Sequence, residues 1–141
     1  MTYSARILAD SVPENMPHAR LTTMELVFPR IVLAEFNTHR VFSRNSASSR
    51  AIPVSKQIEK VLKDPYVPQF KHNQKGMQPA DPLTPIEDDK AVRTWLEARN
   101  RAVEQCSWLD AQNVHKQWCN RLLEPFMWHT VIVTANREQL I

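Results

Sequence analysis

Residues 3–9 alternate, with Tyr3, Ala5 and Ile7 on one side and Ser4, Arg6 and Leu8 on the other, which is the period of a strand. Two prolines and an asparagine make 10–18 a loop. Residues 21–28 are rich in β-formers and place Thr22, Met24, Leu26 and Phe28 on one face, a second strand. At Pro29 the period changes. Proline suits the first turn of a helix, and Ile31, Val32, Glu35, Phe36, His39 and Arg40 follow at helical spacing, so a helix is expected to deliver His39 and Arg40 from its last turn. A loop over 43–53 comes next. Ser55 is then the expected cap of a short helix with Ile58, Val61 and Leu62 facing inward, closing at Asp64 and Pro65.

The proline-rich stretch 65–85 has no periodicity and reads as a lid, a partner-binding arm or an insertion, with packing against a neighbouring subunit preferred. Thr84, Pro85 and Glu87 spell a capping box that starts the longest helix, with Val92, Trp95, Leu96, Val103, Cys106 and Leu109 as its apolar stripe. Trp95 and Trp108 are expected in the core or an interface. Asn113 is the expected cap of a further helix that Pro125 ends. Residues 126–135 alternate and carry Thr130, Val131, Ile132, Val133 and Thr134, a strand. Asn136 then opens a helix whose apolar stripe, begun at Leu140 and Ile141, stops after one turn.

Composition narrows the chemistry. The 141 residues, 43% hydrophobic, suit one domain over 1–141. No apolar run is long enough to span a bilayer, and Cys106 and Cys119 form no Cys-x-x-Cys pair, so a reduced, cytoplasmic protein without a membrane partner is expected. His115 and Cys119 share a helix face but lack a second ligand pair, so no metal site is expected. Gly76 is the only glycine, where about ten would be usual. Glycine-rich phosphate cradles need backbone that reaches positive φ beside the ligand, so the dinucleotide fingerprint and the P-loop are excluded. Side chains must hold any phosphate.

Residues 38–50 supply such side chains: Arg40, Arg44 and Arg50, His39, and the hydroxyls of Ser43, Ser46, Ser48 and Ser49, with no carboxylate among them. Guanidiniums fork onto phosphate oxygens, and serine hydroxyls donate to an oxyanion or accept from a ring nitrogen. A nucleotide matches that set best. The rival is a non-catalytic protein that grips a nucleotide or nucleic acid with the same loop. Only Phe36 and Phe42 lie near the basic residues, and no nucleic-acid motif is present, which disfavours nucleic acid as partner. Flavin colour would separate an enzyme from a plain binder.

The order His39, Arg40, seven residues, Ser48, then Arg50 resembles the signature of the flavin-dependent thymidylate synthases, Arg-His-Arg, seven residues, Ser, with a further Arg two positions on. Thr38 stands where the first Arg is usual, and Ser46 where a Glu is common. The wording around His39 looks more like the divergent members carried by bacterial viruses than like the cellular enzymes. As in the family, a proline (Pro29) lies ten residues ahead of the motif histidine. Residues 114–125 resemble the family's Val-Pro-x-Glu-x-Ala-Arg-x-x-Leu-Pro segment, with Arg121 at the substrate arginine and His115 for the proline.

The resemblance implies an α+β fold, a mainly antiparallel sheet packed against helices, and reductive methylation of dUMP to dTMP. Methylenetetrahydrofolate gives the methylene group, and NADPH gives a hydride through FAD. It implies dUMP on Glu35, Ser48, Ser49, Arg50 and Arg121, and FAD on His39, Arg40, Ser46 and Asn136, in a homotetramer with shared sites. Glu138 replaces the arginine of the family's Asn-x-Arg pair. The family's catalytic arginine would lie beyond Ile141, so an incomplete chain, unable to turn over alone, is expected.

Overall fold

The β-branched run of the last strand is what the fold is built on. In the computed structural model, which describes residues 1–39, 42–77 and 80–136, β4 (Trp128–Asn136) pairs antiparallel with β2 (Leu21–Pro29), from Leu21 opposite Asn136 to Pro29 opposite Trp128. β1 (Ser4–Ser11) pairs with the other edge of β2, and β3 (Ser43–Asn45) with the other edge of β4, giving a four-stranded antiparallel sheet in the order β1-β2-β4-β3. Directly opposed residues share a face. Thr22, Met24, Leu26 and Phe28 therefore lie with Ala135, Val133, Val131 and His129, the face that the alternation in β2 predicts. Val32, Leu33, Phe36 and Phe42 cover it, with Phe28 and Phe36 rings 5.3 Å apart.

A second core lies among the helices. α2 (Val54–Lys63), α3 (Pro85–Ala111) and α4 (Lys116–Arg121) bury Val54, Val61, Cys106, Cys119, Leu123 and Phe126. The Thr84 capping box forms as its spelling predicts, Glu87 N–H donating to Thr84 Oγ1 at 3.3 Å. Trp95 is tied into this layer, its indole N–H donating to Tyr66 O at 2.8 Å and its ring meeting Phe126. The start of the proline-rich stretch thus packs on its own chain, Tyr66 against Trp128 and Phe70 against Trp95. Farther on, His72 N–H donates to Asp81 O at 2.9 Å. Gln78 and Pro79 lie outside the described residues. Among the described residues no helix is long and apolar enough to cross a membrane.

Several expectations fail for local reasons. The helix over 29–40 is a 3-10 turn (Arg30–Val32) followed by the four-residue α1 (Leu33–Phe36). Pro29 completes β2 instead of opening a helix, and Thr38 turns back on Glu35 O through both its N–H (3.1 Å) and its hydroxyl (2.7 Å), closing the turn. His39 follows that turn, and Arg40 lies outside the described residues. The loop over 43–53 contains β3. α2 is preceded by Pro53, not capped by Ser55; Val61 is buried and Ile58 packs against the helical core as expected, Val54 and Gln57 are buried with them, and Leu62 is 47% exposed. Asn113 adopts φ 60° past the end of α3, and His115 caps α4 in its place, Nδ1 accepting from Gln117 N–H at 3.1 Å. Trp108 is exposed. β1 is exposed throughout, with its pairing broken between Ile7 and Ala9, so its alternation buries no face. The helix expected after Asn136, including Glu138, lies outside the described residues; Asn136 itself ends β4.

Candidate functional site

Between the two cores lies a cavity of about 400 Å³, the size of a small-ligand site. Its walls come from the start of β4, from α2, from α4 and from the loop before α2. That loop carries Ser48 and Ser49, which both line the cavity. Arg50 N–H donates to Ser48 Oγ at 3.3 Å and Ala51 N–H to Ser48 O at 3.0 Å, a compact turn built on a serine side chain.

α4 holds the turn. Asn120, fully buried, donates through Nδ2 to Ser49 O and to Ile52 O, both at 2.9 Å. Two carbonyl acceptors settle which end of the amide is nitrogen. One helical turn earlier Gln117 Oε1 accepts from Arg50 Nε at 2.6 Å. Backbone and side chain of the loop are thus both fixed by one face of α4.

The cavity favours an anion. Arg30, Lys60 and Lys63 line it against Asp64 and Glu124, and Arg30 already pairs with Glu124 at 3.4 Å. His129 adds no charge: burial first, and then the nearby Arg30 guanidinium, push its imidazole down to about 4, so it is neutral at pH 7. Three buried polar atoms of wall residues, Asn120 Oδ1, Trp128 Nε1 and His129 Nε2, have no partner among the described residues. Phe126 and Met127 complete an apolar part of the wall. Neither cysteine lines it. Both thiols are buried in the helical core and pushed up by burial, Cys106 to about 11, so neither is a thiolate nucleophile.

The structure gathers only part of the predicted set here: Ser48 and Ser49 line the cavity, while Arg50, the next residue, is exposed beside Ser49 and is not itself on the wall. Arg121 is not on the wall; its guanidinium lies 5.6 Å from the centre of the exposed Trp118 ring. Successive helical residues point about 100° apart, so with Asn120 facing the loop its neighbour faces away. Glu35 is exposed on α1 and also lies off the wall. Arg44 is engaged in structure, donating to His39 O at 2.6 Å and Asn37 O at 3.2 Å with its guanidinium over Phe36. His39 is exposed with its ring against Phe42, and Ser46 is exposed just past β3. In the β3–β4 register Asn45 faces Ile132, which puts Ser46 roughly 17 Å along the sheet from Asn136. His39, Ser46 and Asn136, the described residues that the resemblance gives to FAD, thus lie off the cavity wall.

Gln117, Asn120, Lys60, Lys63 and His129 were not singled out from sequence. Gln117 and Asn120 do stand three apart on the predicted helix, a usable signal.

No protein-family model and no curated protein matches the sequence. The fold does have solved counterparts. The UMP/dUMP methylase PolB from Streptomyces cacaoi bound with 5-Br UMP is 14% identical, with a TM-score of 0.74 over 99% of this chain and 74% of that one. The same protein bound with 5-Br dUMP is 12% identical, with a TM-score of 0.71 over 99% and 75%. At such identity the likeness is one of fold, and it establishes that this α+β chain, an antiparallel four-stranded sheet with its helices, has the architecture of that methylase.

Proposed function

We propose that the chain methylates dUMP reductively to dTMP, the nucleotide seated in the cavity beneath the serine and arginine loop. The observation that carries this reading is that Ser48 and Ser49, two members of the motif-like run, line a cavity whose cations outnumber its acids. The fold shared with a methylase of UMP and dUMP, and the spacing from His39 to Arg50, support the same chemistry. In this reading Ser48 and Ser49 donate to the nucleotide, Lys60 and Lys63 on the wall neutralise its phosphate, and Arg50 reaches that phosphate from the exposed loop beside Ser49. Neutral His129 adds no charge of its own to the wall beside Arg30. No protein thiol is required, in keeping with the buried cysteines.

FAD would be held by His39, Arg40, Ser46 and Asn136, and would supply the hydride that NADPH provides. Methylenetetrahydrofolate would be the carbon donor. The exposure of His39 and Ser46 suits closure by a further copy of the chain in a homotetramer. The test is release of tritium from dUMP labelled at C5, in the presence of FAD, NADPH and methylenetetrahydrofolate, together with calorimetric titration of dUMP. Arg50→Ala is expected to weaken dUMP by about 2 kcal/mol, the loss of one charge-assisted contact. Tight dUMP binding without tritium release would leave the plain nucleotide binder as the correct class.

A further inference from the structure

We infer that Gln117 is a positioning residue that aims Arg50 at the phosphate of the bound nucleotide without cancelling its charge, an assignment that rests on the nucleotide reading above. A guanidinium carries five N–H donors in a rigid plane. Here Nε is taken by Gln117 Oε1 at 2.6 Å, and no hydrogen bond from the two terminal nitrogens falls among the described residues. Fixing the plane through Nε leaves the Nη1/Nη2 edge as the free fork, the geometry that takes two oxygens of one phosphate.

The identity of the partner matters as much as its position. Arg6, Arg20, Arg30, Arg93 and Arg101 each sit against a carboxylate. Arg50, like Arg99, is held by a neutral amide and by no carboxylate among the described residues. An amide oxygen orients the guanidinium yet leaves its full positive charge for an anion, whereas a carboxylate there would compete with the phosphate. Gln117 is itself fixed, its N–H donating to His115 Nδ1, and Asn120 one turn on pins the carbonyls of Ser49 and Ile52 on either side of Arg50. The whole donor edge is therefore set before the ligand arrives, which lowers the cost of ordering it on binding.

Gln117→Glu decides the matter. A carboxylate in the first turn of α4 suits the helix dipole and can keep the bond to Arg50 Nε, so the variant should melt at or above the wild-type temperature. Calorimetry would compare dUMP with deoxyuridine, which lacks the phosphate. The expected result is dUMP affinity reduced about tenfold at low salt with deoxyuridine unchanged. Gln117→Leu, which keeps the charge but loses the aim, should raise the KM for dUMP and leave kcat in place. If Gln117→Glu binds dUMP as tightly as wild type, or loses both ligands equally, the assignment is wrong. Tritium release by the wild-type protein reads the methylation proposal separately. Phosphate-selective loss without turnover would sink methylation and keep Gln117 in its role; turnover with an indifferent Gln117→Glu would do the reverse.

Discussion

Acidification should destabilise this protein through His129 before it does so through its carboxylates. The imidazole is 7% exposed on the sheet face that meets Phe28, with its Nε2 unpartnered among the described residues and the Arg30 guanidinium near. Unfolded, it takes a proton as the pH falls through 6.5; folded, it resists until about 4. Between those values the unfolded chain binds more protons, so stability is fully present above 6.5 and is lost as pH falls toward 4. Each pH unit in that window is about 1.4 kcal/mol, which makes the full effect about 3 kcal/mol. The carboxylates held low, Asp10 by its hydrogen bond to Arg20 and Glu87 by its hydrogen bonds to Thr84, give up their contribution mostly at lower pH.

Urea unfolding of wild type and His129→Phe at a series of values from about pH 7 to about pH 4.5 isolates the group. Phenylalanine has a similar shape, keeps the ring contact with Phe28 and removes no hydrogen bond at Nε2. The unfolding free energy of wild type should fall by about 2–3 kcal/mol more than that of the variant over this range. Parallel losses in the two proteins would refute the reasoning and place the acid sensitivity elsewhere.

Further outcomes follow from the same structure. Leu123 is fully buried at the centre of the helical core, so Leu123→Ala should cost about 2–5 kcal/mol in urea unfolding, as large-to-small core changes do. Thr84→Ala removes the capping box of α3 and should cost about 1 kcal/mol, read as an earlier loss of helical circular dichroism on heating. Cys106, fully buried and pushed up to about 11, should ignore a thiol reagent at neutral pH in the folded protein and react once urea unfolds it.

Local order was legible in the sequence because it depends on near neighbours. Alternation in β2 and the β-branched run of β4 are properties of consecutive residues, and both strands appear with the predicted face of β2 turned inward. The capping box needs only Thr84 and a glutamate three residues on. The single glycine ruled out backbone phosphate cradles, and the serine and arginine run marked the loop that lines the cavity. Helix ends were less legible. Thr38 folding back on Glu35, and His115 rather than Asn113 capping α4, are choices between side chains of similar propensity, settled by the turn each residue occupies.

The site itself depends on contacts that no local pattern encodes. Asn120 meets Ser49 across 71 residues of chain, and Gln117 meets Arg50 across 67. The rotation of α4 on its core, set by burial of Cys119 against α2 and α3, sends Asn120 to the loop and Arg121 to the surface, one residue's difference that a motif alignment cannot resolve. The neutrality of His129 likewise comes from burial beside an arginine that the β2–β4 pairing brings near. Periodicity tells a chain which side of each element to bury. Which buried sides meet, and what space is left between them, is settled only when two cores pack into one molecule.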